Sequence, residues 1–311
     1  LSKPLAGCRA LVAGATRGAG RGIALALGEA GATVVCVGRS SRAAPSSRPE
    51  TIEETAELVT ALGGVGIARR CDLLDEAGAI ALGESLRGEL GGLDLLVNDV
   101  WGGDALTEFA VPPWEMDVGK ARAMLDSGLV THLVSTRAFS PLLVGAAAPL
   151  IVEITDGDTF GYRGAFAYDL VKMATIRLAW SLNKELAAIG GTAVCITPGY
   201  LRSEEMLERY GVTEANWQEG VAADPNFIAS ESPRFVGRAV AALAADPQRA
   251  AKSGRVFASW TLAREYGFTD VDGSRPDWGA HWLRTFPRPY AVADADAYAS
   301  WAPSPIDAMT E

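Results

Sequence analysis

Short β-branched runs alternate with amphipathic stretches along most of this chain. The runs are Arg9–Ala13, Thr33–Gly38, Val65–Arg70, Leu93–Asn98, Leu150–Thr155, Thr192–Thr197 and Gly254–Ala258. Several are apolar nearly throughout, the pattern of strands covered on both faces. Between them, apolar positions recur with helical period over Gly20–Gly31, Thr51–Leu62, Asp75–Leu90, Ala121–Val144 and Tyr168–Ile189. Repeated strand–helix–strand order predicts an α/β fold: one doubly wound domain with a seven-stranded parallel sheet, right-handed crossovers and helices on both faces.

Three segments break the rhythm. Ser40–Pro49 is a polar, proline-bearing loop, Tyr200–Glu231 mixes charge with aromatic residues, and Gly273–Glu311 is a Pro- and Trp-rich stretch with little periodicity. The expected division is therefore a domain over residues 1–272, with residues 200–231 as its substrate loop, and an irregular C-terminal extension over 273–311. There is no internal repeat.

Composition narrows the class. With 311 residues, 49% apolar and 21% charged, the chain can bury a continuous core. A net charge of −10 argues against a general nucleic-acid binder, which needs a basic face. No apolar run approaches the roughly 18–20 residues of a membrane span, and the N-terminal stretch does not read as a signal peptide. A cytoplasmic protein with no membrane partner is the expectation. Cys8, Cys36, Cys71 and Cys195 form no C-x-x-C pair and sit in apolar runs, where thiols are buried and inert. His132 and His281 lack ligand spacing, so no metal is expected.

The first run leads straight into Gly14-Ala-Thr-Arg-Gly18-Ala-Gly20, where a helix opens. Glycines at a strand-to-helix turn let the backbone approach a pyrophosphate, whose charge is met by free N–H groups and the helix dipole. In this context the turn reads as the dinucleotide site of a Rossmann-type domain, with Thr16 and Arg17 inside it. The second run ends Val37-Gly38-Arg39-Ser40, without the acid that would accept ribose hydroxyls. Arg39 and Arg17 instead suit a 2′-phosphate, which favours NADP(H) over NAD(H). Arg42 and Arg48 stand nearby in a loop of undetermined course.

Tyr168-Asp-Leu-Val-Lys172 opens the helix after the fifth run, and i, i+4 spacing puts both side chains on one face. A cation a few ångströms from a phenol lowers its pKa by about 1–3 units by stabilising phenolate. With these residues the chain resembles the classical short-chain dehydrogenase/reductase family. Gly14, Gly18 and Gly20 match that family's G-x-x-x-G-x-G turn. Asp72 and Leu73 match the adenine-holding position, and Asn98 matches the first residue of N-N-A-G. Pro198, Gly199 and Ser203 match the segment that steadies the nicotinamide carboxamide. Thr261–Gly273 resembles the subgroup containing dehydrogenase/reductase member 1.

The resemblance implies a mechanism: hydride passes between nicotinamide and a carbonyl carbon, Tyr168 exchanges the proton, and Lys172 holds the ribose and depresses the tyrosine pKa. It also implies a homodimer or homotetramer. Two positions depart from the family pattern. The usual Ser falls on Thr155 when thirteen residues are counted back from Tyr168, and on Asp156 when strand ends are aligned. Threonine can donate as serine does, whereas an ionised Asp only accepts and opposes a developing alkoxide. Gly128 stands where the family has the Asn of its proton relay, and the neighbouring Ser127 is expected to face elsewhere.

Pockets in such sheets lie beyond the carboxyl ends of the strands. Trp101, Phe160, Tyr162 and Tyr200 are placed there and suggest an apolar or aromatic carbonyl or alcohol substrate, with the 200–231 segment as a lid. Trp278, Trp282 and Trp301 are expected to cover a sheet edge or a neighbouring subunit. The leading expectation is an NADP(H)-dependent reductase or alcohol dehydrogenase. The alternative is a cofactor-binding protein of the same fold with little turnover, acting as a structural or regulatory partner.

Overall fold

The computed structural model describes residues 3–159 and 161–286. Seven strands alternate with helices in this order: β1 (Arg9–Ala13), α1 (Gly18–Glu29), β2 (Thr33–Gly38), α2 (Ile52–Ala61), β3 (Val65–Arg70), α3 (Glu76–Leu90), β4 (Leu95–Asn98), α4 (Val118–Leu125), α5 (Thr131–Phe139), β5 (Leu150–Ile154), α6 (Phe166–Leu186), β6 (Thr192–Thr197), α7 (Glu204–Arg209), α8 (Pro233–Ala245), β7 (Val256–Ala258), α9 (Ser259–Tyr266) and α10 (Trp278–Thr285). The sheet runs β3-β2-β1-β4-β5-β6-β7, and every pair is parallel. This is the doubly wound, seven-stranded arrangement that the alternating pattern predicts. The order reverses between β1 and β4, which opens a crevice at their carboxyl ends.

Alternation along each strand divides its side chains between two cores. Ala10 and Val12 of β1 join Val34 and Cys36 of β2 in one cluster with α1 and α8, while Leu11, Ala13, Val35 and Val37 join the other with α3 and α5. Burial on both faces is why these strands read as unbroken apolar runs. The thiols follow the same packing: Cys36, Cys71 and Cys195 are buried and Cys8 is half-buried, and burial pushes Cys8 up to about 11 and Cys36 up to about 12.

Caps set several helix starts. Thr51 accepts from the Glu54 amide at 3.3 Å, and Asp75 accepts from the Gly78 amide at 3.0 Å. Helix α1 has no side-chain cap from its own N-cap residue, Arg17. Its first amides are left for another anion.

Two expectations about regularity change. The helix expected over Ala121–Val144 runs on continuously but widens into a π turn at Asp126–Val130, between α4 and α5. The stretch after residue 273 is not wholly irregular, because α10 forms there, capped by Asp277, which accepts from the Ala280 amide at 2.8 Å. Trp301 lies outside the described residues. Among the described residues, no helix is long and apolar enough to cross a membrane and no His/Cys/Asp/Glu group is arranged to hold a metal.

Candidate active site

One cavity of about 1270 Å³ runs along the carboxyl ends of the strands, from the glycine turn to α10. At its first end, Gly14 (φ +94°) and Gly20 form a cradle that only glycine fits. A Cβ on Gly14 would lie 2.4 Å from the Asp99 carbonyl oxygen, and one on Gly20 would lie 2.3 Å from the Gly14 carbonyl oxygen. The anion that meets α1 is a side chain of the chain itself: the Glu204 carboxylate accepts from the Gly18 amide at 2.8 Å and stands 4.0 Å from Arg21. A carboxylate on this amide marks the position as one that accepts an anion, and the glycine cradle gives a pyrophosphate room beside it. These residues fit a dinucleotide.

Thr16, Arg17, Gly18, Arg39, Asp72 and Leu73 line the same end. Arg39 is exposed, and its guanidinium has no hydrogen-bond or ion-pair partner among the described residues. Arg17 lies 3.8 Å from Glu50, and Arg48 reaches both Glu50 (3.2 Å) and Glu208 (2.8 Å). Arg42 turns away to Glu57. Asp72 braces its own turn by accepting from the Leu74 amide at 3.0 Å. Asn98 needs correction. Its side chain does not line the cavity but lies within the sheet, donating to Glu153 at 2.7 Å and accepting from Ser135 at 2.6 Å. Strand alternation turns it inward, and the cavity receives Asp99, Val100 and Trp101 instead. Burial pushes the Asp99 carboxyl up to about 7, although Lys172, His132 and the Gly20 amide pull it back.

Tyr168 and Lys172 share the cavity-facing side of α6. Their surroundings resolve the position that the sequence leaves open. The Thr155 hydroxyl donates to the Lys172 backbone carbonyl at 2.8 Å, and the residue is buried, so its donor is committed to holding β5 against α6. Thr155 is thereby corrected from a substrate donor to a packing contact. Asp156 is the residue beside the phenol: Tyr168 donates to its carboxylate at 2.7 Å. Burial pushes the Tyr168 phenol up from its ordinary value, and the Asp156 charge and hydrogen bond push it further. Burial draws the Lys172 ammonium down, against Asp156, Asp99 and Asp104.

Trp101 organises this centre. Its indole N–H donates to Asp104 at 2.8 Å, its ring meets Tyr168 edge-on at 5.5 Å, and the Lys172 ammonium lies 3.7 Å from its centroid. Gly128 makes room for this ring, since a Cβ there would fall 2.7 Å from the indole and 2.9 Å from Val171. The glycine that replaces the family's relay Asn is thus explained by packing. Contrary to expectation, Ser127 lines the cavity; the π turn at Asp126–Val130 shifts the register and brings it in. Arg163 clamps the loop after β5. It pairs with Asp169 at 3.0 Å and donates to the carbonyls of Asp156, Gly157 (3.0 Å) and Thr159 (3.3 Å).

At the far end, Pro198, Gly199, Ser203, Tyr162 and Tyr200 line the wall; Phe160 lies outside the described residues. Ser203 caps α7, accepting from the Met206 amide at 3.3 Å. Tyr200 donates to Asp224 at 2.9 Å. Trp217 and Phe227 of the same loop are buried as its core. Trp278 and Trp282 correct the expectation made for them: both line the cavity, and Trp278 meets Tyr200 edge-on at 5.7 Å. Helix α10 has an indole on successive turns of one face, a period too short to stand out in the sequence.

Two buried acids went unread in the sequence. Glu153, in the middle of β5, is fully buried and pairs with His132 at 2.6 Å, while the other His132 nitrogen meets the Val100 carbonyl at 3.1 Å. Glu231 lies beneath the Pro198–Gly199 turn, accepting from the Gly199 amide at 2.9 Å and from Ser259 at 2.5 Å. Burial pushes it up to about 8. The signal available for Glu153 was a lone charge inside an apolar run; for Glu231 there was none.

The family model for short chain dehydrogenase matches residues 9–213. Dehydrogenase/reductase SDR family member 1 of Mus musculus is 33% identical over 275 residues, covering 87% of this chain and 85% of the relative. The protein of the same name from Homo sapiens is 32% identical, covering 88% and 86%. A short chain dehydrogenase structure from Mycobacterium thermoresistibile superposes with a TM-score of 0.73 over 88% of this chain and 92% of that one; at 19% identity it shows the fold alone. A Beutenbergia cavernae structure at 25% identity and TM-score 0.66, covering 83% and 97%, holds NADP at low occupancy. With a family model spanning well over half its length and relatives about a third identical over most of both chains, this protein belongs to the short-chain dehydrogenase/reductase family, in its classical form, and its general activity is that of an oxidoreductase.

Proposed function

We propose that the protein is an NADP(H)-dependent reductase or dehydrogenase that interconverts a ketone or aldehyde with an alcohol, using Tyr168 as acid and base. The observation that carries this reading is that a single cavity is lined at one end by the glycine turn and farther along by the Tyr168–Lys172 face of α6. Bound NADP(H) supplies the hydride. Gly14, Gly18 and Gly20 hold its pyrophosphate, Arg39 and Arg17 its 2′-phosphate, Asp72 and Leu73 its adenine side, and Pro198, Gly199 and Ser203 the carboxamide. Lys172 holds the ribose hydroxyls and offsets the charge near Tyr168. Tyr168 passes its proton to the carbonyl oxygen, and Trp101, Tyr162 and Tyr200 enclose the substrate and exclude water. A homodimer or homotetramer belongs to the same reading, on the family likeness, and a cytoplasmic location on the composition; sedimentation tests the assembly.

Oxidation of NADPH against a panel of ketones tests the activity. Cofactor choice is tested by titration: Arg39→Ala is expected to weaken NADPH about 10-fold or more while leaving NADH nearly unchanged, as loss of a charge-assisted phosphate contact requires. Equal loss for both would overturn the NADP assignment. Glu204→Gln is expected to tighten NADPH about 10-fold, because it keeps an acceptor for the Gly18 amide but removes a negative charge beside the pyrophosphate. Unchanged affinity by fluorescence titration would refute that repulsion.

A second reading, a cofactor-binding protein with little turnover, is favoured by the hydrogen bond that commits the Tyr168 hydroxyl to Asp156. NADPH binding without Tyr168-dependent turnover across the panel would select it.

A further inference from the structure

A carboxylate is an awkward neighbour for carbonyl reduction. Hydride arriving at the carbonyl carbon pushes the π pair onto oxygen, and that negative charge grows beside the carboxylate that already accepts the Tyr168 hydrogen bond, Asp156. Asp104 adds a second carboxylate to the same wall, fixed by the Trp101 indole. Neither acid has an ion-pair partner among the described residues. Arg163 approaches only the Asp156 backbone carbonyl and is otherwise committed to Asp169, Gly157 and Thr159. Lys172, held on the Trp101 face, acts on both acids only from beyond ion-pair distance. Trp101 stands at both acids, bonded to Asp104 and packed on the Tyr168 ring, and Tyr200, Trp278 and Trp282 line the same cavity; such aromatic faces suit a cation.

Resting on the hydride-transfer reading above, we propose that the substrate carries a cationic nitrogen next to the carbon that exchanges hydride, its charge met by Asp156 and Asp104 within this aromatic wall. The cation neutralises Asp156, so that with a ketone the Tyr168 hydroxyl is free to donate to the substrate oxygen instead of to the carboxylate. Two chemistries supply such a nitrogen. In an α-amino ketone, hydride adds to the carbonyl carbon, the C=O π pair becomes an oxygen lone pair, and Tyr168 protonates it. In an iminium ion, hydride adds to the C=N carbon, the π pair becomes the nitrogen lone pair, and no further proton is needed. In both, NADPH is the reductant and is oxidised by two electrons.

The test compares 2-amino-1-phenylethanone, protonated on its aliphatic amine, with propiophenone, which has nearly the same size without the charge, and includes 3,4-dihydroisoquinoline as the imine arm. Wild-type kcat/KM is expected to favour a cationic substrate over propiophenone about 100-fold, the scale of a partly screened charge pair. Asp156→Asn, which keeps shape and an acceptor, is expected to reduce the preference to about threefold, and Asp104→Asn to lower it by a smaller share. The amino ketone and imine arms show which chemistry is used. A preference for propiophenone, or one that survives Asp156→Asn, overturns the proposal while leaving hydride transfer standing. If no substrate is turned over, the hydride-transfer reading fails, and tryptophan quenching still decides the charge preference. Tighter binding of 2-amino-1-phenylethanol than of 1-phenylpropan-1-ol, lost in Asp156→Asn, supports the cation site, and equal binding removes it. Should Asp156→Asn not fold, Asp104→Asn carries the same comparison.

Discussion

Tyr168→Phe is expected to lower turnover of any accepted carbonyl substrate by about 10²–10⁴-fold, the usual worth of a positioned general acid, while NADPH affinity stays nearly the same. The phenol ring packs against Trp101 at 5.5 Å and Phe109 at 6.5 Å, and phenylalanine keeps both contacts. The variant therefore removes one hydroxyl and little else. It also removes the hydrogen bond that Asp156 accepts, so the Asp156 carboxylate loses its side-chain partner among the described residues and is left to solvent or substrate. Steady-state rates beside fluorescence titration of NADPH separate the two effects. A loss below about tenfold would mean that the proton comes from elsewhere, and Asp156 would be the first group to examine.

The largest effect on stability is expected at a residue that touches no substrate. His132→Leu leaves the Glu153 carboxylate unpaired in the centre of the sheet, where breaking a buried pair costs about 3–5 kcal/mol. Both His132 nitrogens face acceptors, Glu153 on one side and the Val100 carbonyl on the other. Asn98 ties into the same carboxylate, and Ser135 into Asn98. The double variant His132→Leu with Glu153→Val is expected to recover most of the loss, because two apolar groups need no partner and the Asn98 amide keeps its contact with Thr136 at 3.3 Å. Urea denaturation of the three variants checks this; a double variant as unstable as the single one would mean that the pair does more than satisfy itself. The network ends on the carbonyl of Val100, next to Trp101. Its loss should therefore also loosen the wall around Lys172.

Parts of the site were open to reading from residues alone because each carries its reason locally. A glycine that must admit a carbonyl oxygen, or a phenol and an ammonium one helical turn apart, keeps that meaning wherever the chain goes. Asp156 and Thr155 are different. They are adjacent in sequence, and counting spacing could not choose between them, because the choice depends on which side of the chain faces α6 as β5 ends. Asn98 failed for a similar reason: resemblance identifies a conserved-looking letter, while strand alternation decides which way the letter points. Ser127 was misjudged by assuming a regular helix, and a π turn rotates it into the cavity.

The hydrophobic period, the punctuating glycines and the absence of an acid after β2 determined the class of fold, the place of the dinucleotide turn and the candidate acid–base pair, since all three follow from interactions within a few residues. Tertiary structure alone decided that Asp156 accepts the Tyr168 hydrogen bond, that Trp101 occupies the space left by Gly128, that Glu204 reaches the amide of Gly18, and that Trp278 and Trp282 line the cavity. Those contacts join residues far apart in the chain, and their partners are selected by packing and charge in three dimensions, which no local pattern records.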